Sequence, residues 1–278
     1  FTINALYMDR HGKLSDFFGG RQDLQTRTIR FIGDALTRIQ EDGLRMLRFF
    51  RFLATHGQAP ANADALQAIA QLASTIDSLS GERIAAEMKK LLQADDPLYA
   101  LEQMMMCGVP AFLTQGEWDL SSAARLVQHE VQQSLRGSVW VRLMALVAPK
   151  EREAAARWIC ERWKLSRMER ATLEMLSVRR GDVSAAKVKE WLRAMPAASV
   201  QDLLLLAAVD GITPALVTAL MQLTREWRVP VFPITAADLL QRGFQEGAAL
   251  GAAMRRLEAQ WVASDYELDK PALLRLLS

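Results

Sequence analysis

The stretch that decides the fold is Arg38-Ile-Gln-Glu-Asp-Gly-Leu-Arg-Met-Leu-Arg-Phe-Phe-Arg51, whose spacing predicts one continuous helix. Apolar residues recur along one side of this helix, which we expect to be buried. They are Ile39, Met46, Phe50 and Leu53. The charged residues advance in steps of three, so they wind around the helix at about 100° per residue. Asp42 and Arg45 are therefore expected side by side, with Arg51 about half a turn away from Asp42.

This charged stretch has a simpler interpretation. Arginine-rich helices are often solvent-exposed faces on which residues three apart form ion pairs. For the stretch alone that interpretation is the better one, so the choice between a structural and a functional helix depends on the rest of the chain.

The composition excludes several classes of protein. A chain of 278 residues with 50% hydrophobic and 24% charged residues is typical of a soluble globular protein with two or more small domains. A net charge of +2 does not by itself indicate nucleic-acid binding. The longest strongly apolar run, residues 203–209, is too short to span a bilayer, so we expect no membrane partner. Cys107 and Cys160 are far apart, which favours free thiols and a cytoplasmic location.

The β signals are confined to residues 1–33. Residues 1–9 and 13–18 read as the two strands of a hairpin, and residues 28–32 read as a third short strand. So little sheet cannot bury a face alone. Because the chain also starts inside the first predicted strand, with no initiator methionine, we expect it to be a fragment.

From residue 34 onward the sequence predicts helices almost throughout, with Asp34 as the N-cap of the long charged helix. The further predicted helices span residues 63–75, 80–92, 97–107, 121–136, 139–147, 151–163, 167–178, 185–194, 200–209 and 214–227, and residues 234–278 are expected to hold two or three more.

Five motifs follow one another in the first third of the chain. They are Phe1-Thr-Ile-Asn4-Ala-Leu6, Asp16-Phe-Phe-Gly19-Gly20 with Asp23-Leu24, Ile32-Gly-Asp34, Arg38-x-x-Glu41-Asp42-x-x-Arg45-x-x-Arg48, and Glu82-Arg83-Ile84-x-x-Glu87-x-x-Lys90-Leu-Leu92. Together they resemble the class II tRNA nucleotidyltransferases (CCA-adding enzymes) and the related bacterial poly(A) polymerases. The resemblance is tight over residues 1–92 and loose afterward.

This resemblance implies a mainly α fold with a small β remnant of the nucleotidyltransferase head at the N-terminus. The head remnant would comprise residues 1–33, the neck residues 34–95, the helical body residues 96–229 and the helical tail residues 230–278. In the family the head holds the metal-binding carboxylates, which would lie upstream of residue 1. We therefore expect no catalytic or metal-binding residue in this chain, Mg2+ bound by the missing head, and no activity of the chain by itself.

The resemblance also implies an activity for the intact enzyme: the transfer of CMP, CMP and AMP from CTP and ATP onto the 3′ end of tRNA. In the family the neck helix selects the incoming base with its side chains. This assigns Asp42 and Arg45 to the base, because Arg45 offers a rigid donor fork and Asp42 offers acceptors. Glu41 is expected to orient Arg45 or to bond a neighbouring backbone group, and Asn4 is expected to take part in binding the nucleotide.

The remaining charged residues of the neck have two expected roles. Arg48 and Arg51 are placed to reach the triphosphate or to hold the head against the neck. Glu82, Arg83 and Glu87 are expected to form ion pairs that stabilise the neck.

Asp16, Gly19 and Gly20 are implied to form a hinge between head and neck. The alternative is an ordinary hairpin exit in which the glycines supply positive φ angles. The two interpretations are left open.

Two regions are candidates for tRNA binding. Arg152 and Arg157 belong to an arginine-rich stretch interleaved with tryptophans, which suggests a phosphate track with stacking rings. A salt-bridged outer face over core tryptophans explains that stretch equally well. In the tail, Arg255 and Arg256 follow glycines that would let a helix N-terminus approach the tRNA backbone. Helix caps and close-packing sites explain these glycines equally well.

Three alternatives remain at this point. A poly(A) polymerase uses the same motifs but usually has a longer basic C-terminus, and an enzyme that adds only CC or only A is also open. The third is a non-catalytic helical module that binds RNA or a protein partner. The sequence upstream of Phe1, or the mass of the protein, separates the last from the enzymes.

Overall fold

The computed structural model describes residues 1–115, 117–178 and 183–277. It is 64% helical, with one two-stranded sheet among these residues, which confirms the mainly α prediction. The neck and its N-terminal approach contain helices α1 (Gly20–Gln25), α2 (Ala35–Glu41), α3 (Leu44–His56), α4 (Ala63–Leu72) and α5 (Gly81–Leu92). The following helices are α6 (Leu98–Met106), α7 (Leu120–Gln132), α8 (Val139–Ala145), α9 (Arg152–Arg162), α10 (Arg167–Ser177), α11 (Ala185–Ala194), α12 (Ala197–Val209) and α13 (Pro214–Glu226).

The N-terminal segment is less extended than predicted. The hairpin is present as β1 (Leu6–Met8) paired antiparallel with β2 (Leu14–Asp16), but Thr2–Asn4 form a 3-10 helix and residues 28–32 form no strand. The reason is tertiary. The Thr2 hydroxyl donates to the buried Asp23 carboxylate at 2.5 Å, and a Cβ on Gly20 would lie 2.3 Å from the Thr2 carbonyl oxygen. Residues 2–4 are thus folded onto α1 instead of continuing the strand.

The predicted continuous charged helix is broken, which corrects the sequence-based expectation. Asp34 caps α2 as expected, accepting from the Thr37 amide at 2.8 Å. The helix then stops because Asp42 is extended, with φ −157° and ψ 105°. The Asp42 carboxylate accepts the Leu44 amide at 3.1 Å, and such local side-chain bonds compete with helical ones. Asp42 therefore lies between two helices.

The neck is held together by α3 packing against α5. Met46, Phe49 and Phe50 on α3 are fully buried, as are Ile84 and Met88 on α5. The apolar spacing that predicted a buried side is therefore confirmed for α3. The following helix α4 ends at Leu72, and the chain continues as a 3-10 helix, Ala73–Ser78, up to the start of α5.

Neck and body share one hydrophobic core that extends from Ile3 to Met221. At its centre Trp163 is completely buried and donates its indole N–H to the Leu113 carbonyl oxygen at 3.2 Å. Cys107 and Cys160 are buried free thiols. Because the core is continuous, the proposed division between neck and body at residues 95 and 96 stays a prediction.

A buried ion pair joins the end of the neck to the body. Arg142 on α8 and Glu130 on α7 are 5% and 6% exposed, and the Arg142 Nη2 lies 2.5 Å from the Glu130 Oε2. The Arg142 Nη1 also donates to the carbonyl oxygens of Leu92 and Ala94, at 2.7 and 2.6 Å, just where α5 ends. Carbonyls at the end of a helix lack helical partners, so the guanidinium terminates α5 and ties it to two body helices.

The tail forms a second, smaller hydrophobic cluster. It contains α14 (Ala236–Leu240), α15 (Ala248–Ala263) and α16 (Lys270–Arg275), with Leu257 and Trp261 buried between them. The tail docks on α11 through ion pairs of Arg193 with Glu258 and of Lys189 with Asp265. The predicted body and tail spans also include residues 116, 179–182 and 278, which lie outside the described residues. Across the described parts of the chain no helix is long and apolar enough to cross a membrane.

The Arg142 pair predicts a large loss of stability when one partner is removed. Replacing Arg142 by Ala leaves the Glu130 carboxylate buried without a cation, so we expect the free energy of unfolding to fall by about 3–5 kcal/mol. Urea unfolding followed by circular dichroism measures this difference. Arg136→Ala is the control, because Arg136 pairs with the fully exposed Asp95 and should cost at most about 1 kcal/mol. Equal losses of stability in the two variants would contradict the assigned role of Arg142.

Candidate functional site

Arg45 lies at the start of α3 and is held in place by the end of α2. Its Nη1 donates to the Glu41 Oε2 at 2.5 Å and to the Arg38 carbonyl oxygen at 2.7 Å. The Arg45 guanidinium, together with Arg38, lowers the pKa of the Glu41 carboxyl. Glu41 thus contacts Arg45 as the sequence suggested. The Arg45 side chain is about a quarter exposed, and its other guanidinium nitrogens make no hydrogen bond with the residues that the structure describes.

Asp42 is held by the other side of the neck. The Nη2 of Arg83, on α5, lies 3.0 and 2.8 Å from the two Asp42 carboxylate oxygens. Asp42 and Arg45 are thus near one another in the chain but are bonded to different partners. Arg83 forms the neck ion pair that the sequence predicted, while Glu82 is exposed and forms no ion pair with any described residue.

The guanidinium groups of Arg38, Arg45 and Arg48 all lie near the backbone nitrogen of Phe1, close enough to act on it electrostatically. The Arg48 Nε is buried and has no hydrogen-bond partner among the described residues. An unpaired buried donor is costly, so Arg48 Nε is a donor for which the described residues supply no acceptor.

Arg38 is a member of this site that the sequence analysis missed. It lies on α2, before the break at Asp42, and pairs with the same Glu41 carboxylate as Arg45. The three-residue spacing of Arg38 and Glu41 is a usable signal for that pair.

Arg51 differs from its predicted role. Its Nε is 2.7 Å from the Glu87 Oε2, and its guanidinium lies 4.1 Å from the centre of the Phe52 ring. The pair is about four-fifths buried on the Arg51 side and nine-tenths on the Glu87 side. Arg51 is therefore engaged in holding α3 against α5, because its cation is already paired and covered.

The predicted hinge residues are fixed by local hydrogen bonds. Asp16 accepts the backbone amides of Phe18, Gly20 and Arg21 at 3.2, 2.9 and 2.9 Å. These bonds, that of Arg21 first, lower the pKa of the Asp16 carboxyl. Gly19 has φ +76°, a conformation that favours glycine. This is the geometry of a capped hairpin exit, and motion at this point stays a prediction. Asn4 is exposed at the end of the 3-10 helix.

Arg152 corrects a prediction, since it cannot follow a phosphate backbone. It is 3% exposed and donates to both carboxylate oxygens of Asp210, at 2.5 and 2.7 Å. Arg157 is exposed and forms no ion pair with the described residues. In the tail, Arg255 and Arg256 are also exposed on α15, whose N-cap Gly247 has φ +128°.

Among the described residues no group of three or more His, Cys, Asp or Glu side chains is arranged to hold a metal ion.

Comparisons with known proteins agree with the motifs. A sequence model described as the poly A polymerase head domain matches residues 1–30. One described as the probable RNA and SrmB-binding site of polymerase A matches residues 62–114. The chain is 28% identical to the human mitochondrial CCA tRNA nucleotidyltransferase 1 over 98% of its own length. A CCA-adding enzyme from Geobacillus stearothermophilus is 42% identical over 113 residues, which are 41% of this chain and 28% of that enzyme.

Solved structures give the same result. The CCA-adding enzyme of Bacillus stearothermophilus in complex with CTP matches all of this chain and 71% of that one, with a TM-score of 0.73 at 25% identity. The Thermotoga maritima CCA-adding enzyme complexed with tRNA has a TM-score of 0.66 over all of this chain and 71% of that one. Its 19% identity supports the fold alone. The chain spans 63% of the length of the human relative.

Along almost its whole length the chain is therefore similar to CCA-adding tRNA nucleotidyltransferases, and residues 1–30 and 62–114 also match sequence models that describe parts of a poly(A) polymerase.

Proposed function

We propose that the protein containing this chain is a tRNA nucleotidyltransferase that adds CMP, CMP and AMP to the tRNA 3′ end from CTP and ATP. In this proposal the chain supplies nucleotide selection and tRNA binding. The observation that carries it is the position of Asp42 and Arg45 at the break between α2 and α3, beside the buried unpaired Nε of Arg48. The CCA-adding enzyme solved with CTP, and the similarity to the human CCA tRNA nucleotidyltransferase 1, support the choice of substrates.

The chemistry of the bases explains why this pair suits CTP and ATP. On their pairing edges cytosine and adenine both present an amino donor next to a ring-nitrogen acceptor. An aspartate accepts from the amino group, and an arginine donates to the ring nitrogen. Uracil and guanine present a carbonyl oxygen and a ring N–H at these positions, so Asp42 and Arg45 would face them with mismatched groups.

The existing hydrogen bonds leave capacity for a base. Arg45 uses Nη1 for Glu41 and Arg38, which leaves Nε and Nη2 to donate. Among the described residues Asp42 Oδ2 accepts only from Arg83, so it retains a lone pair. A base can therefore bind without displacing the partners that orient the two side chains.

Arg48 and Arg38 extend the site toward anionic groups. Arg48 has a buried donor to offer, and Arg38 and Arg45 add positive charge to the same region. We assign this region to the phosphates of the nucleotide, since guanidinium groups bind phosphate oxygens well. Mg2+, which in such reactions stabilises charge on the transferred phosphoryl group, is assigned in this proposal to the head.

A poly(A) polymerase is the second candidate, because both matching sequence models carry polymerase A in their descriptions. The two functions differ in their products. A CCA-adding enzyme extends a tRNA lacking its 3′ end by three nucleotides in a defined order, whereas a poly(A) polymerase adds a longer run of A to many RNAs.

The first prediction concerns base selection. In the complete gene product, Arg45→Ala removes the donor fork, so we expect the ratio of kcat/KM for CTP over UTP to fall about ten-fold or more, along with the rate. The measurement is incorporation of each nucleotide into tRNA lacking CCA. Arg136→Ala is the control, since Arg136 is a surface residue of the body. Unchanged discrimination among the four nucleotides would refute the role of Arg45, and absence of any transfer by the unchanged protein would refute the proposed function.

The second prediction concerns tRNA. If Arg157, Arg255 and Arg256 bind phosphates, changing each to Ala should weaken tRNA binding and reduce the slope of log K against log salt by about one for each arginine removed. Filter binding at several salt concentrations measures the slope. Arg10→Ala, at the exposed turn of the hairpin, is the matched control. If the variants bind tRNA at low salt as tightly as the unchanged protein, these arginines belong to an ordinary solvated surface and bind no phosphate.

A further inference from the structure

Helix α5 determines where the side chains of the neck site lie. It carries Arg83, which holds the Asp42 carboxylate, and Glu87, which pairs with Arg51. Arg83 and Glu87 are four positions apart on the helix, so both project from one side of it toward α3. Asp42 sits in an extended break, where helical hydrogen bonds do not fix it. Its carboxylate is held by the Leu44 amide from its own segment and by Arg83 from across the neck, and the position of Arg83 is set by α5.

The N-terminus of α5 rests directly on the body. A Cβ on Gly81 would lie 2.0 Å from the carbonyl oxygen of Arg162, the last residue of α9, and 2.9 Å from the carbonyl carbon of Trp163. No residue other than glycine allows so close an approach to backbone atoms. Arg83 is only two residues farther along α5.

The Arg162 side chain reinforces this contact. Its Nη2 donates to the carbonyl oxygens of Ile76 and Asp77, both at 3.1 Å, in the 3-10 helix that leads into α5. The adjacent Trp163 is fully buried and bonded to Leu113, so the end of α9 is itself anchored in the core.

A second body contact holds α5 nearer its C-terminus. The Lys89 Nζ lies 2.7 Å from the Glu169 Oε1 on α10, and this partner lowers the pKa of the Glu169 carboxyl to about 2. The Arg142 bonds to the carbonyls of Leu92 and Ala94 complete the attachment at the end of the helix. The body thus contacts α5 at its start, on its last turns and at its end.

We infer that Gly81, Arg162 and Glu169 are positioning residues for nucleotide selection, through which the body holds α5 so that Arg83 presents Asp42 to the base. The inference rests on the proposed function of the neck. It also offers a role for Arg162, at the end of the arginine-rich stretch of α9, that differs from both a phosphate track and a salt-bridged outer face. In this role Arg162 supports the neck from inside the protein and contacts no phosphate. A displacement of about 1 Å from a remote change can cost about a hundred-fold in rate.

The test compares matched variants of the complete gene product. Arg162→Met keeps an unbranched apolar stem but removes the guanidinium hydrogen bonds, and Glu169→Gln removes the negative charge that pairs with Lys89. Glu161→Gln is the control, because Glu161 is exposed and forms no ion pair with the described residues. We expect Arg162→Met to lower the CTP over UTP ratio of kcat/KM about ten-fold, Glu169→Gln to lower it less, and the control to leave it within about two-fold.

A double-mutant cycle shows whether the effect passes through Arg83. If it does, Arg162→Met should reduce discrimination little further in an Arg83→Met background, because the shared route is already broken. If the losses of discrimination in Arg162→Met and Arg83→Met are additive, the effect of Arg162 does not pass through Arg83. Arg162→Met that keeps discrimination but weakens tRNA binding in a salt-dependent way would overturn the inference and make Arg162 a phosphate-binding residue.

Hydrogen exchange separates failure of this inference from failure of the proposed function. The amides of Leu44 and Arg45 bond to Asp42, so their exchange reports the order of the break without any substrate. We expect Arg162→Met to raise it several-fold over Glu161→Gln. If the unchanged gene product transfers nucleotides and Arg162→Met leaves the exchange of these two amides unchanged, the inference fails and the proposed function stands. If the unchanged gene product transfers no nucleotide, the proposed function fails, and faster exchange would still establish the support of the neck by the body.

Discussion

The attachment of helix α5 to the body is the constraint on which the rest of the structure depends. Its first residue, Gly81, touches the backbone of Arg162, and its last carbonyls are bound by the buried guanidinium of Arg142. Between these points the helix carries the apolar face that packs α3. Because both ends are fixed, the side chains of α5 that face α3 have defined positions. The neck is thereby close-packed in the same hydrophobic core as the body and does not form a separate unit.

Four arginines of this chain illustrate two kinds of position, which differ in what lies opposite the guanidinium group. Arg142 and Arg152 are buried and bonded to carboxylates, so they contribute to the folded structure. Arg45 and Arg48 are partly exposed and keep donors that no described residue accepts. A buried cation without a partner would be expensive, which is why the first group has carboxylates and the second has access to solvent and ligand. The proposed function depends on the second group.

Most of the helices could be predicted because their signals are local. Asp34 and Asn62 cap helices as side-chain chemistry suggests, and the spacing of apolar residues placed α11 at its observed bounds. Predictions failed where a distant segment overrode a local preference. The start of the first predicted strand, Thr2–Asn4, is a 3-10 helix because Thr2 packs on Gly20 and bonds to Asp23 of α1.

The sequence by itself determined the helical class of the fold, the family resemblance and the set of charged residues from which the site is built, because periodicity, caps and ordered motifs are properties of neighbouring residues. Only the tertiary structure decided which of those charges remain available. Arg152 is buried against Asp210, 58 residues away, and Asp42 is held by Arg83, 41 residues away. Pairing over such distances depends on how whole helices pack, and the spacing of residues along the chain does not contain it.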